Sequence, residues 1–236
     1  MKKQENGKVD KEIEEKNMVK PKYKPKLILF DFDYTLADSS KGVVICYQYA
    51  LTQTGNSKVS EEVIKDTIGL ELKEGFKRFI DNPEVMDECI ALFKEKAEEV
   101  MVNNSFLLPM TSVTIRTLSK RGYVLGIVST KYAYRIQEIL KRNEVNQYFK
   151  VIIGGENVKN FKPAPEGVLK ACDKIGIDPQ ETIFVGDTVV DIKAGKAAEV
   201  NATIGVLTGR TKKADFLTVG ADLILNSILD LLSYLQ

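Results

Sequence analysis

Histidine is missing from all 236 residues, and so is tryptophan. Without an imidazole, Ser-His-Asp and Cys-His nucleophilic systems, phosphohistidine chemistry and His-ligated zinc are excluded. Acid–base work near neutral pH then falls to carboxylates, Lys, Tyr or Cys. Cysteine is scarce too. Cys46, Cys89 and Cys172 stand apart with no metal-binding spacing, and read as buried free thiols in a reducing compartment. No apolar run approaches the ~18 residues that a membrane-spanning helix needs. The first apolar stretch, Leu27 to Phe30, is too short for the core of a signal peptide. The expectation is a soluble, cytoplasmic protein with no membrane partner.

Charge of one sign is also lacking. The net charge is +1, split as +4 over residues 1–26 and −3 over the rest. A nearly neutral body gives no electrostatic case for nucleic acid. With 44% hydrophobic and 28% charged residues, the chain has the composition of a globular protein, long enough for one domain carrying a smaller one. Residues 1–25 are an exception: Lys, Glu, Asn and Asp dominate, and Pro21 and Pro25 block a helix, so this segment reads as a disordered charged tail.

From Lys26 onward, short continuous apolar runs alternate with helical patterns. The runs are Leu27–Phe30, Val124–Val128, Val151–Ile153, Thr182–Val185, Thr203–Val206 and Leu223–Leu225. Continuous rather than alternating runs suit parallel strands covered on both faces. Helices are expected over roughly 110–121, 132–142, 165–175, 189–199 and 226–235, with Pro165 in a first turn and Asn226 as an N-cap. Repeated β-α-β units imply an α/β fold, a Rossmann-like doubly wound parallel sheet. Residues 38–106 break the alternation. They show no convincing strand, only helical spacing such as Val43, Tyr47, Ala50 and Leu51, or Phe76, Phe79 and Ile80. The excess over an ordinary crossover reads as an inserted four-helix unit, leaving 26–37 and 107–236 as the α/β core.

Ligands of such sheets bind at the carboxyl ends of the strands, near the point where strand order reverses. The first run is followed by Asp31-Phe32-Asp33-Tyr34-Thr35, the second by Ser129-Thr130, and the fourth by Gly186-Asp187-Thr188, with Asp191 further on. Phe161-Lys162-Pro163 opens a helix between them. Taken singly, each has a bland reading: Thr35 or Ser129 as helix caps, Lys162 as a surface lysine, Asp191 as a helix-dipole partner.

Together the four segments resemble the haloacid dehalogenase superfamily, whose motifs match in order as Asp31-x-Asp33-x-Thr35, Ser129, Lys162 and Gly186-Asp187-x-x-x-Asp191. The resemblance implies a phosphatase that passes through an aspartyl phosphate. In it, Asp31 attacks phosphorus and Asp33 protonates the leaving oxygen, then deprotonates the attacking water. Mg²⁺ is implied, held by Asp31, Asp187 and the main-chain carbonyl of Asp33. Thr35, Ser129, Thr130 and Lys162 would bind phosphate. Gly186 supports the motif, and Asp191 orients Lys162 or a metal-bound water. The insertion matches the family's helical C1 cap; only about 30 residues separate Lys131 from Asn160, too few for the larger alternative cap. Gly69, Leu70 and Lys73 then either read substrate or form a plain helix–helix turn. Arg210, Lys212 and Lys213 lie at the site rim or on a solvated face. The family usually has Gly where this chain has Tyr34, whose ring must lie against the loop or point toward the cap.

The expected partner is a small phosphorylated metabolite, such as phosphoglycolate or a sugar phosphate, and the protein a monomer or homodimer. A hexose-phosphate mutase and an inorganic pyrophosphatase share the scaffold. The mutase usually carries a His beside the first motif and Glu-Asp in the fourth, and this chain has neither. A non-enzymatic phospho-acceptor resembling response-regulator receivers would lack both the second carboxylate and the insertion.

Overall fold

The computed structural model describes residues 25–56 and 58–235. The expected charged tail, through residue 24, lies outside them. Strand β1 (Leu27–Phe30) has all four residues buried and pairs in parallel on both edges. Strands β2 (Ala37–Asp38) and β3 (Phe106–Leu107) follow, then β4 (Val124–Val128), β5 (Phe149–Ile153), β6 (Thr182–Gly186), β7 (Ala202–Val206) and β8 (Leu223–Leu225). The main sheet runs β5-β4-β1-β6-β7-β8, all parallel, so strand order reverses at β1.

Alternate residues of each strand face opposite sides of the sheet. Ile28, Phe30, Ile127, Ile183 and Val185 pack on one face with Ile115 and Leu118 of α5 (Thr111–Lys120) and Ile136, Ile139 and Leu140 of α6 (Ala133–Arg142). Leu27, Leu29, Val151 and Phe184 pack on the other with Val168 and Ala171 of α7 (Glu166–Ile175) and Ala194 of α8 (Val189–Ala197). Burying one such side chain stabilises by about 1.5–3 kcal/mol, and this double cover is why the inner strands are mostly apolar.

The segment between β2 and β3 is helical: α1 (Ser40–Gln53), α2 (Glu61–Lys65), α3 (Leu72–Phe76) and α4 (Pro83–Val100). Asn82 caps α4, its side chain accepting from Glu84 N–H at 2.9 Å, with Pro83 in the first turn. The four helices have a separate hydrophobic cluster, centred on Tyr47, whose ring lies 4.4 Å from Phe76 and 5.1 Å from Phe93. Val43, Ala50, Leu51, Ile80 and Ala97 join it, as the helical spacing predicts.

Three details differ from the sequence reading. β2 and β3 form a short antiparallel pair at the two ends of the insertion. A helix not expected, α9 (Lys213–Thr218), precedes β8. The expected helix over 226–235 is a 3-10 turn, Ile228–Asp230, followed by α10 (Leu231–Tyr234). Ser227 caps it in place of Asn226, because the turn begins at Ile228 and the Ser227 Oγ accepts from Leu229 N–H at 3.3 Å. All three cysteines are buried and free. Among the described residues no helix is long and apolar enough to cross a membrane.

Candidate active site

At the reversal point, β1, β4 and β6 deliver Asp31, Ser129 and Asp187 to one edge of the sheet, and all three are buried. The chain after β1 turns back on itself at once. Leu36 and Ala37 N–H both bond the Phe32 carbonyl, and Tyr34 N–H bonds the Ala37 carbonyl. This turn puts Tyr34 at φ 57°, the left-handed region where a side chain is strained and glycine is not. A glycine, which the resemblance leads one to expect at this position, would adopt this φ without strain. The Tyr34 ring packs against the helical insertion, the second of its two expected positions.

Lys162 organises the carboxylates. Its Nζ donates to Asp31 Oδ1 at 2.6 Å and to Asp191 Oδ1 at 2.5 Å, with its side chain only 5% exposed. The loop that carries it is pinned by Glu166, in the first turn of α7, which accepts the N–H groups of Lys159 and Asn160. Lys162 is therefore no surface lysine. Asp191 Oδ2 accepts from Thr188 N–H at 2.9 Å and Thr188 Oγ1 at 2.5 Å, closing a capping box on α8. Asp191 thus serves both the helix end and Lys162. Gly186 is required beside it, since a Cβ there would lie 2.3 Å from Asp191 Cγ.

Thr35 Oγ1 donates to Asp187 Oδ1 at 3.2 Å and caps nothing; Ser39 precedes α1. Ser129 is not a helix cap either: Tyr132 precedes α6, and Ser129 Oγ accepts from Lys131 N–H at 3.3 Å. Sequence reasoning missed two residues. Lys131, buried, places Nζ 3.2 Å from Asp33 Oδ2. Gly209 approaches so closely that a Cβ would fall 2.0 Å from Asp187 Oδ2. Neither left a signal in the linear sequence beyond its position after a strand.

The electrostatics of this cluster call for a cation. Carboxylate oxygens of Asp31, Asp187 and Asp191 lie within 4.8 Å of one another. Burial raises the Asp31 carboxyl to about 7, with Lys162 opposing the rise and Asp191 and Asp33 adding to it. Burial likewise lifts Asp187 well above the usual carboxylate range, and Asp31 and Asp191 push it further. Burial works against the Lys162 ammonium, but Asp191 and Asp31 outweigh it and hold Lys162 above its ordinary value. Four carboxylates, Asp31, Asp33, Asp187 and Asp191, face two ammonium groups, Lys131 and Lys162. Were all four ionised, a charge of −2 would remain, which one divalent ion would neutralise. The raised values of Asp31 and Asp187 show how strongly burial opposes that ionisation without one. Among the described residues Asp31 Oδ2 and Asp33 Oδ1 are buried with no hydrogen-bond partner, which in a native structure marks a place for an ion, water or ligand.

Two cavities flank the cluster. One, of about 350 Å³, runs from Asp33, Thr130 and Lys131 to Gly69, Leu70 and Lys73 of the insertion. The other, lined by Tyr34, Asp187 and Thr188, is also lined by Arg210, which bonds Asp66 and, at 3.0 Å, Glu62. Arg210 thus sits at the rim and ties it to the insertion. Tyr34 does not line the cavity of Gly69 and Lys73 on the Asp33 side, but Leu70 lines both cavities.

A doubly wound sheet with an aspartate-lysine cluster at its reversal point defines a class, and the chain belongs to it: residues 28–206 match the family of haloacid dehalogenase-like hydrolases. It is an enzyme of that kind. Among relatives, a phosphoglycolate phosphatase from Shigella flexneri is 30% identical over 228 residues, covering 87% of this chain and 90% of that protein. The pyrophosphatase PpaX from Bacillus velezensis is 34% identical over 175 residues, covering 72% of this chain and 78% of its own length. Among solved structures, a haloacid dehalogenase-like protein from Bacteroides fragilis superposes with a TM-score of 0.84 at 37% identity, covering 88% of this chain and 100% of that one.

Proposed function

We propose that the chain is a cytoplasmic Mg²⁺-dependent phosphatase of small phosphate monoesters, working through an aspartyl phosphate on Asp31. The observation that carries this reading is Asp31 Oδ2, a buried carboxylate oxygen without a partner, beside Lys162 and the Asp187 carboxylate. In the first step an Asp31 oxygen forms a bond to phosphorus as the ester P–O bond breaks, and the leaving oxygen takes the proton of Asp33. In the second, Asp33 takes a proton from water as that water attacks phosphorus, releasing phosphate and restoring Asp31. Lys162, Ser129, Thr35 and Thr130 hold the phosphoryl oxygens. Asp31, Asp187 and the Asp33 carbonyl would hold Mg²⁺, which supplies the neutralisation that lets one anion attack another. The helices over 38–106 form a cap that excludes bulk water, with Gly69, Leu70 and Lys73 against the substrate.

The likeness to phosphoglycolate phosphatases supports phosphoglycolate as a substrate, and the likeness to the pyrophosphatase supports the anhydride as a second reading. Phosphate release from a panel of phosphorylated metabolites and pyrophosphate, ranked by kcat/KM with and without EDTA, tests both. Release from none, or full activity in EDTA, rejects the proposal.

A stability measurement tests the ion separately. A carboxyl whose folded value lies above its unfolded 3.8 holds protons that the unfolded chain has released, so this contribution is lost as pH rises toward about 7. The metal-free protein is therefore expected to melt lower at pH 8 than at pH 6, by several degrees at about 2–4 °C per kcal/mol. Added Mg²⁺ should raise Tm more at pH 8 than at pH 6. Thermal melts in EDTA and in Mg²⁺ at both pH values check this, and an equal response at the two pH values counts against the site.

A further inference from the structure

We propose that Lys131 reads a second anionic group on the leaving half of the substrate, so that the preferred substrates are phosphate esters or anhydrides whose leaving group is itself an anion. The inference rests on the phosphatase reading above and deepens it. It begins with the position of two lysines. Lys162 stands at Asp31, where phosphorus must be attacked. Lys131 stands on the other side of Asp33, the residue that faces the leaving oxygen, and lines the 350 Å³ cavity that opens from there toward Gly69 and Leu70. A cavity of that size suits a small metabolite.

Cationic side chains outnumber carboxylates around this cavity: Lys73, Lys94, Lys131 and Arg135 against Asp33, Glu71 and Glu156. An ammonium has three N–H groups. Among the described residues, Lys131 Nζ has one carboxylate neighbour, Asp33 at 3.2 Å, and its side chain is only 5% exposed. The nearby charges are otherwise engaged. Arg135 gives Nη2 to Glu98 at 2.6 Å and stacks over Tyr132, while Glu156 accepts the Ala133 N–H at 2.9 Å. Arg135 Nε, whose residue lines the same cavity, is buried with no hydrogen-bond partner among the described residues. A buried cation with unfilled donors is costly unless an anion completes it. A neutral alcohol would leave Lys131 as it stands. A carboxylate one carbon from the ester oxygen, or the second phosphate of an anhydride, would fill it.

The experiment compares kcat/KM for three substrates in Mg²⁺: phosphoglycolate, inorganic pyrophosphate and 2-hydroxyethyl phosphate. The first two carry the anion as carboxylate or phosphate and separate those sources; the third carries none. Wild type is expected to favour at least one anionic substrate by about 30-fold, the scale of one hydrogen bond to a charged group. Lys131→Met should collapse that ratio to near unity, and Lys131→Arg should retain much of it. Lys131→Gln serves as the second neutral variant should Lys131→Met fail to fold. An equal loss on all three substrates would make Lys131 a holder of Asp33 and overturn the inference. So would a wild type without preference. Release of phosphate from none of the three by wild type would instead reject the phosphatase reading, and the inference with it.

Discussion

Asp31→Asn protein is expected to release no phosphate from any ester, with kcat reduced by at least about 10⁴-fold, the scale at which loss of a nucleophile leaves only binding and electrostatic contributions. The amide is nearly isosteric but cannot attack phosphorus, and no other group in the cluster can replace it. Asp33 is turned to Lys131, Asp187 accepts from Thr35, and Asp191 is shared between Lys162 and Thr188. The same variant carries a control for folding. Asp31 is held at about 7 chiefly by burial, so its ionised form opposes folding above that pH. Metal-free Asp31→Asn should accordingly melt no lower than wild type at pH 8. Inactive protein with an undiminished Tm supports a chemical role, and substantial turnover by purified Asp31→Asn would sink the covalent mechanism.

Asp33→Asn should separate the two carboxylates. Protonating the leaving oxygen matters most when that oxygen leaves poorly, as in an alkyl phosphate, where removing the acid costs about 10²–10⁴-fold. An aryl phosphate, whose phenolate leaves unaided, should suffer less in the first step. Aspartyl phosphate should then accumulate, because the water that releases it has lost its base. Rapid-quench recovery of acid-stable, hydroxylamine-sensitive phosphoprotein measures this with both esters. If Asp33→Asn slows both equally and traps nothing, Asp33 has another role. Its side chain is suited to the assignment: Oδ2 faces Lys131 and the cavity, while Oδ1 is buried without a partner.

The core of this site was legible because three apolar runs each end in polar residues, and parallel strands gather their carboxyl ends at one edge. Asp31, Ser129 and Asp187 could be placed there from their positions just after those runs. What escaped depends on distances that appear only after folding. Lys131 is one lysine in a loop, and it becomes special when the turn that seats its N–H on Ser129 Oγ sends its side chain to Asp33. Gly209 lies well past Asp187 in sequence, and the two meet because β7 pairs beside β6. Helix α9, Lys-Ala-Asp-Phe-Leu-Thr, is too short and polar for periodicity to show, and β2 and β3 are two residues each. The cap roles once open to Thr35 and Ser129 were excluded for a similar reason. The helices begin a few residues later than those hydroxyls can reach.

The central place of β1 has a consequence for how the polypeptide is made. Leu27 pairs with Val124 on one edge and with Thr182 on the other. Synthesis proceeds at roughly 5–20 residues per second, so β1, the first strand among the described residues, waits for both neighbours, and for the second one longest. Until β4 emerges Leu27-Ile28-Leu29-Phe30 lacks both neighbours, and until β6 emerges one edge stays open. The helices of residues 40–100 emerge next, and their cluster around Tyr47 draws almost wholly on their own residues. They can close locally while β1 still waits. A nascent chain stalled before β6 therefore exposes a sticky central strand and lacks Asp187, so it is prone to aggregate and inert at once.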